Sequence, residues 1–239
     1  EDLHRVVRSE RAKKLCAFER LASDGLIFLE NKNADSGHLI WDFYNADGSG
    51  AEMCGNAARC AGAFVQEVMG TKIPFVLETT AGLVSVQRRA DGRWAVEMPP
   101  VQDKPRQISL EVEGKTYQGY LVNSGVPHLV LELSPAEEPS LSVCRRLRSH
   151  ADLGVAGANV TFLNGSQAKT YERGVEGFTA ACGTGAVAAA LVMSEGRSGR
   201  FRVTMPGGDL EVELGGPRPV LIGPAFITAK IEIPQETFE

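Results

Sequence analysis

Hydrophobic and polar positions follow two different periods in the first half of the chain. Residues 10–18 have helical character, whereas 26–29 and 39–43 alternate as strands do. Residues 45–50 are rich in turn-forming side chains. Apolar positions then recur every three to four residues over 57–68, which predicts an amphipathic helix ending near a glycine. The first half therefore combines strands with one central helix.

The second half repeats this order of elements. Each half contains a Cys-Gly pair directly before its central helix, and the two cysteines are separated by 182 − 54 = 128 positions in a chain of 239 residues. The other predicted elements are strands at 75–78, 83–87 and 94–98, a strand at 160–162, a polar segment at 171–174, a helix at 186–193, and strands at 201–205, 210–214 and 220–222. This order indicates an internal duplication.

The second central helix is apolar on every side, with alanines at positions 186, 188, 189 and 190. A helix of this kind must be buried all round, which a curved sheet formed by its own half would achieve. We therefore predict an α+β fold of two similar halves, each a barrel-like curved sheet around a central helix. Prolines at 99, 100 and 105 favour a boundary within 105–118, giving halves at 1–110 and 111–225.

Composition excludes several functional classes. The formal charge is −5, and we find no lysine- or arginine-rich block that would bind nucleic acid. The apolar runs are shorter than the roughly 20 residues needed to span a bilayer. The sequence has no secretory signal, and its five cysteines are odd in number and widely scattered, unlike a disulfide framework. We therefore expect a cytoplasmic protein that acts on a small molecule.

The two Cys-Gly turns suggest acid–base chemistry. Free N–H groups and the helix dipole at a helix N-terminus favour an anion, and glycine allows close approach to the main chain. The same setting is expected to lower the pKa of Cys54 and Cys182. Inverting an α-carbon requires a base on one face and an acid on the other. One thiolate and one thiol would supply both.

Other roles are possible for the cysteines. Cys16, Cys60 and Cys144 are predicted to be small buried apolar residues. No Cys-x-x-Cys or zinc-type spacing occurs, so no metal site is predicted. A cysteine hydrolase using His128, or a non-catalytic binding protein, stays open at this point.

The motifs around the two cysteines resemble those of the diaminopimelate epimerase family. The matching segments are Asn-Ala-Asp-Gly-Ser at 45–49, Glu-Met-Cys-Gly-Asn-Ala-Ala-Arg-Cys at 52–60, Tyr-Glu-Arg-Gly at 171–174 and Ala-Cys-Gly-Thr-Gly at 181–185. The resemblance extends from about Leu15 to near the C-terminus. Two cysteine-containing blocks in this order identify a family far more specifically than a single glycine motif does.

The resemblance implies interconversion of L,L- and meso-diaminopimelate without a cofactor, pyridoxal phosphate or metal, in lysine and cell-wall synthesis. It implies Cys54 and Cys182 as the catalytic bases. In the family pattern, the reacting α-carboxylate is held by amides near four residues, Gly55, Asn56, Gly183 and Thr184. The distal amino and carboxyl groups are held by Asn45, Asn159 and Arg173. The resemblance also implies that Glu172 lies beside the reacting amine and Cys182, and that His128 lies near Cys54.

The resemblance further implies that a last strand at about 226–233, within 226–239, returns to the first half. A homodimer is a further expectation. Some positions depart from the family pattern, namely Gly25, Val126 and Phe178, and the family's Gly-Asn-Asp-Phe block is not among these residues. A racemase of another polar amino acid on the same fold is therefore the alternative.

Overall fold

The computed structural model describes residues 3–33, 37–51, 53–70, 74–101, 103–137, 139–234 and 237. The chain forms two compact units. Unit 1 comprises Glu1–Trp94 with Ala225–Glu239, and unit 2 comprises Ala95–Pro224. The division thus falls earlier than the 110/111 boundary drawn from the sequence.

Unit 1 is a sheet with two helices. Its helices are α1 (Leu3–Cys16) and α2 (Gly55–Glu67), and its strands are β1 (Gly25–Asn33), β2 (His38–Asn45), β3 (Gly50–Ala51), β4 (Phe75–Thr79) and β5 (Gly82–Arg88). Strand β6 (Trp94–Glu97) begins at the last residue of this unit's first segment. The predicted helix at 10–18 is present but begins about two turns earlier, at Leu3.

Unit 2 contains the remaining elements. Its helices are α3 (Leu141–Arg148) and α4 (Gly183–Ser194), and its strands are β7 (Arg106–Val112), β8 (Lys115–Asn123), β9 (Pro127–Glu132), β10 (Asn159–Asn164), β11 (Gln167–Glu172), β12 (Gly177–Phe178), β13 (Gly199–Met205), β14 (Gly208–Leu214) and β15 (Val220–Gly223). Short 3-10 turns cover Pro135–Glu137 and Ala151–Leu153.

The same pairing order occurs in both units. In unit 1, β1 and β2 are antiparallel, β2 and β4 are parallel, and β4 and β5 are antiparallel. In unit 2, β10 and β11, β11 and β13, and β13 and β14 repeat these three relationships. Each parallel connection contains the central helix, and a two-residue strand, β3 or β12, pairs just before it. The predicted internal repeat is confirmed.

The central helices are buried as their sequences indicate. Residues 186–190 of α4 are all fully buried, which confirms the prediction for an all-apolar helix. Helix α2 buries one face, including Ala58, Ala61 and Val65. Cys16 and Cys144 are buried as predicted, but the prediction for Cys60 was wrong because it lies on the exposed side of α2.

Two expectations about chain boundaries require correction. The boundary was expected within 105–118, but the hairpin of β7 and β8 occupies residues 106–123. The prolines at 99, 100 and 105 precede this hairpin and do not separate the two units. Residues 224–234 contain no strand, and Phe226 is 78% exposed, since no described strand pairs with this segment. Of the predicted range 226–239, residues 235, 236, 238 and 239 lie outside the described residues. The segment 225–239 does group with unit 1.

Candidate active site

Cys54 is the N-cap residue of α2. Its backbone is extended, with φ −140° and ψ 117°, and its side chain makes no capping hydrogen bond. The side chain is half-buried. Because the first N–H groups of a helix have no intrahelical acceptor, Gly55 and Asn56 present amide hydrogens beside the sulfur-bearing residue. This turn is suited to holding a carboxylate next to Cys54.

A buried arginine supports the Cys54 turn. Arg59 is only 6% exposed, and its guanidinium donates to Asn56 Oδ1 at 2.8 Å and to the Gly55 carbonyl at 3.5 Å. Burial lowers the pKa of Arg59, while attraction to Cys60 and Cys54 opposes this. The attraction is mutual, so the guanidinium charge favours a thiolate at Cys54.

Asn45 ends β2 and faces the turn that precedes α2. Its Nδ2 donates to Ser49 Oγ at 3.0 Å, and its backbone N–H donates to the Ser49 carbonyl at 2.9 Å. The side chain is half-buried. The turn therefore fixes the orientation of Asn45, while the second Nδ2 hydrogen is available to a ligand by valence.

Cys182 is the corresponding N-cap residue of α4. Its backbone is again extended, with φ −124° and ψ 110°, which matches Cys54 closely. The residue is 5% exposed, its N–H donates to Met205 Sδ at 3.4 Å, and its Sγ lies 3.5 Å from Thr184 Oγ1. The repeat thus builds the same cysteine geometry twice.

The expected lowering of the Cys182 pKa was wrong. Burial raises the pKa of the thiol, and the negative charge of Glu172 raises it further. Hydrogen bonds from Thr184 and from the Gly185 N–H act in the opposite direction. The helix N-terminus is thus outweighed by desolvation in this half. Cys182 is held as a thiol.

Glu172 is the last residue of β11, and Arg173 follows it directly. The Thr179 hydroxyl donates to the Glu172 carboxylate, and that carboxylate is also hydrogen-bonded to the Cys182 thiol. Arg173 is exposed, and its guanidinium donates to the Ala156 carbonyl at 3.2 Å. Among the described residues, Arg173 makes no carboxylate contact, so its charge is suited to an acidic ligand.

His128 and Asn159 form the buried side of the same turn. The His128 side chain is fully buried, and burial together with the Arg173 charge lowers its pKa to about 3. Its Nε2 lies 3.0 Å from Thr184 Oγ1 and 3.3 Å from Asn159 Nδ2. The expected position of His128 near Cys54 stays a prediction. Within unit 2, this ring is linked to Cys182 through Thr184.

Asn45 and Arg173 occupy equivalent places in the repeat. They are separated by 173 − 45 = 128 positions, the same spacing as the two cysteines, and each lies at or directly after the end of a repeat-equivalent strand. Gly55 and Gly183, and Asn56 and Thr184, are related in the same way. Three pairs of the residues expected to hold substrate are therefore related by the same repeat as the cysteines, whereas Asn159 and Glu172 belong to the second half alone.

Two departures from the family pattern have structural explanations. A Cβ added at Gly25 would lie 2.6 Å from the Phe43 ring and from the Tyr44 carbonyl oxygen, so only glycine fits there. Phe178 packs against Phe162 and Tyr171, with ring centroids 6.0 and 5.8 Å apart. Both residues serve the packing of their own unit.

Sequence reasoning missed the buried polar residues behind Cys182. Thr161 and Thr170 are fully buried and hydrogen-bonded to each other at 3.1 Å. Ser124 is also fully buried, and its hydroxyl donates to the Thr184 carbonyl at 2.8 Å. Threonines are common in strands, so only the three-dimensional contacts reveal them.

Within the ranges that the structure describes, no group of three or more His, Cys, Asp or Glu side chains is placed to hold a metal ion. No described helix is long and apolar enough to cross a membrane. None of the five cysteines is in a disulfide.

The fold is shared with solved structures described as a predicted epimerase and a probable proline racemase. A structure described as a predicted epimerase from Pseudomonas aeruginosa matches with a TM-score of 0.69 at 14% identity, covering 94% of this chain and 87% of that chain. A probable proline racemase from Agrobacterium radiobacter matches with a TM-score of 0.66 at 15% identity, covering 96% and 83%. At these identities the likeness establishes the fold.

Sequence comparison identifies the family. The profile described as diaminopimelate epimerase matches residues 1–103 and 120–227. The diaminopimelate epimerase of Aquifex aeolicus is 38% identical over 197 residues, covering 78% of this chain and 70% of its own length. That of Methanothrix thermoacetophila is 33% identical, with coverage of 97% and 88%. The chain belongs to the diaminopimelate epimerase family.

Proposed function

We propose that the protein interconverts L,L- and meso-diaminopimelate, with Cys54 and Cys182 as the two proton carriers and no cofactor. The observation that carries the proposal is the duplicated turn. Both cysteines are helix N-caps with nearly the same extended backbone, at equivalent positions of an internal repeat. Membership of the diaminopimelate epimerase family supplies the substrate.

In the proposed reaction, one sulfur removes the α-proton and the other delivers a proton to the opposite face. The C–H bond breaks as the thiolate becomes a thiol, and a new C–H bond forms as the second thiol becomes a thiolate. The raised pKa of Cys182 favours it as the acid of the resting enzyme. The positive charge of Arg59 favours Cys54 as the base.

The reacting carboxylate must be stabilised as negative charge develops at the α-carbon. The N–H groups at the starts of α2 and α4 are suited to this, through Gly55, Asn56, Gly183 and Thr184. Preorganised backbone donors need no rearrangement when charge develops.

Arg173, Asn45 and Asn159 are proposed to recognise the distal amino and carboxyl groups. Asn159 Oδ1 accepts the Arg173 backbone N–H at 2.8 Å, which holds the residue that carries the guanidinium. Glu172 is proposed to accept the reacting amine. A racemase of an amino acid with one carboxylate would not need the Arg173 charge, so the structure favours a dicarboxylate.

A hydrolase that uses His128 as its base is disfavoured. The ring is fully buried and its Nε2 is bonded to Thr184 and Asn159. With a pKa of about 3, this imidazole is a poor base for activating a thiol. A cytoplasmic location and assembly as a homodimer are part of the proposal, and light scattering on the purified protein tests the second.

The proposal is tested by giving the full-length protein L,L-diaminopimelate and separating the isomers by chiral chromatography. Meso-diaminopimelate should form, whereas lysine, glutamate and proline should not racemise at a comparable rate. Cys54→Ser and Cys182→Ser should each lower turnover by about 10³-fold or more. Faster racemisation of any of these three amino acids than of diaminopimelate would assign the protein to the alternative.

A further inference from the structure

A continuous chain of polar side chains, buried except for the half-buried Thr184, runs from strand β11 to the Cys182 sulfur. Thr170 Oγ1 lies 3.1 Å from Thr161 Oγ1, which lies 2.9 Å from His128 Nδ1. His128 Nε2 lies 3.0 Å from Thr184 Oγ1, which lies 3.5 Å from Cys182 Sγ. Thr161, Thr170 and His128 are fully buried. The chain lies wholly within unit 2.

The donors and acceptors in this chain can be assigned from Asn159. Its Oδ1 accepts the Arg173 N–H at 2.8 Å, and an N–H can only meet the oxygen end of the amide. The Nδ2 end therefore faces His128 Nε2 at 3.3 Å. Because Nδ2 can only donate, Nε2 must be an acceptor.

His128 is consequently neutral, with its hydrogen on Nδ1. Burial and the Arg173 charge lower its pKa to about 3, in agreement with an unprotonated Nε2. Nδ1–H donates to Thr161 Oγ1, and the Thr161 hydroxyl is hydrogen-bonded to that of Thr170. The Nδ1 hydrogen thus has a buried acceptor on the side of the ring away from Thr184.

The Thr184 hydroxyl has one hydrogen and two neighbouring acceptors. When Cys182 is a thiol, the sulfur needs no donor, because its own hydrogen bonds to Glu172. The Thr184 hydrogen then goes to His128 Nε2. When Cys182 is a thiolate, the sulfur is the stronger acceptor. Nε2 keeps the Asn159 N–H, so it is not left unpaired.

We infer that the Thr184 hydroxyl is a two-position donor, which turns from His128 to Cys182 each time the sulfur loses its proton. His128 is a positioning residue: its Nε2 accepts the Thr184 hydrogen bond when Cys182 is a thiol and loses that bond when Cys182 is a thiolate. The inference rests on the proposed role of Cys182 as a proton carrier, and it gives the neutral histidine a task that needs no protonation.

The charged surroundings of Cys182 make this donor necessary. Glu172, on β11, opposes the thiolate, and α4 has no acidic residue in its first turn. Arg173 acts on the His128 ring. The donors that favour the thiolate are the Thr184 hydroxyl and the Gly185 N–H. Removing one of these two should therefore raise the pKa of the Cys182 thiol measurably.

The test compares Thr184→Val with Thr184→Ser in a Cys54→Ala background. Iodoacetamide alkylation of Cys182 is followed against pH by peptide mass spectrometry, with Cys60 in the same digests as the reference. The valine variant should slow alkylation of Cys182 about tenfold or more at each pH, which corresponds to a rise of about one unit or more in its pKa, since a hydrogen bond to a charged group is lost. The serine variant, which keeps the hydroxyl, should restore the value of the Thr184 protein.

An unchanged Cys182 pKa in the valine variant, or an equal rise in the serine variant, would overturn the inference. A second measurement uses the unmodified protein, so it does not depend on whether a variant folds. Nitrogen NMR of the His128 ring should show the Nδ1–H tautomer and no titration between pH 5 and 9. The Nε2–H tautomer would contradict the assignment. Neither result depends on turnover, so failure of the protein to epimerise diaminopimelate would be recognised separately.

Discussion

At the scale of single residues, the second glycine of the Cys182 turn has a specific steric role. A Cβ added at Gly185 would lie 2.4 Å from Thr170 Oγ1 and 3.3 Å from Cys182 Sγ. A contact of 2.4 Å requires movement of a buried strand or of the helix start. Glycine is therefore needed here to leave room for the reactive sulfur and the buried threonine, although alanine favours helix formation.

We expect Gly185→Ala to lower kcat/KM for diaminopimelate by about 10²-fold, since a displacement of about 1 Å at a reacting group can cost that much. Initial rates measured by chiral chromatography give the value. Gly50→Ala is the matched control, because an added Cβ meets nothing within 4 Å there. Equal rates in the two variants would show that Gly185 does not position Cys182.

Arg173→Ala should lower kcat/KM for diaminopimelate strongly and leave the melting temperature nearly unchanged. Loss of a charged partner of a bound carboxylate costs about 2–5 kcal/mol, or roughly 30-fold to several thousand-fold. The folded state loses little, because the side chain is exposed. Arg202→Ala serves as the control, since Arg202 is exposed and paired with Asp209 on β14. Wild-type kinetics for Arg173→Ala would remove this residue from the site.

Some of the residue-scale site could be predicted from the sequence, and some could not. The placement of Cys54 and Cys182 at the starts of the two central helices was predictable, because the same Cys-Gly turn occurs twice before a helix. The direction of the Cys182 pKa shift was not, because it depends on burial and on Glu172, which sequence spacing does not report. Thr161 and Thr170 were missed for a similar reason. Their roles arise only when β10 and β11 pair with each other.

At the scale of elements, helix α2 packs against the aromatic ring of Trp94 through Gly62. A Cβ added at Gly62 would lie 2.5 Å from Trp94 Cε3, and Trp94 is 1% exposed. The close approach of the helix to this ring sets the depth at which α2 lies in its own unit. A larger residue would displace the helix that begins at Cys54.

Gly62→Ala should therefore destabilise the protein despite the better helix propensity of alanine. Overpacking a core commonly costs about 1–3 kcal/mol, whereas replacing glycine by alanine in a helix gains about 1 kcal/mol. We expect a net fall in the free energy of unfolding, measured by urea denaturation and compared with Gly50→Ala. A variant at least as stable as wild type would show that the helix can move away from Trp94 without cost.

Periodicity predicted the central elements better than the flanking ones. Helix α4 was predicted well because an all-apolar segment of this length has few alternatives. Strands β7 to β9 and helix α3 were not predicted. The hairpin of β7 and β8 lies where a boundary was predicted, because prolines mark interruptions of a pattern without indicating the type of element beyond them.

At the scale of the whole molecule, the repeat explains how one chain acquires two matched cysteine turns. The two units share the order of strand pairings and the place of the central helix. The division falls earlier than the predicted boundary because β6 begins at Trp94, and the Met98 N–H beyond it donates to the Pro219 carbonyl of unit 2. A local composition signal does not reveal in which core a strand is buried.

Protein stability should depend on pH through His128. Its pKa in the folded protein is about 3, below its ordinary value of 6.5. As the pH falls from 6.5 toward 3, the unfolded chain takes up a proton that the folded protein does not, so stability is lost over this range. The uptake of one proton corresponds to about 1.4 kcal/mol per pH unit.

We expect His128→Gln to have a shallower loss of stability between about pH 6.5 and 4.5 than wild type. The slope of the free energy of unfolding against pH, measured by urea denaturation, isolates this effect from any uniform destabilisation. Gly50→Ala, which adds a Cβ where nothing lies within 4 Å, should keep the wild-type slope. Equal slopes for the wild type and His128→Gln would mean that this imidazole titrates normally in the folded protein.

The central claim is that two thiols exchange protons with the α-carbon from opposite faces. Each sulfur then carries its own proton, and the proton delivered to product came earlier from solvent. The test starts from pure L,L-diaminopimelate in D₂O and analyses both isomers by NMR or mass spectrometry at a few per cent conversion. The account predicts deuterium at the inverted α-carbon of the product and almost none in recovered substrate. Substantial protium at that carbon of the early product would contradict it, because a single base would have carried the original proton across.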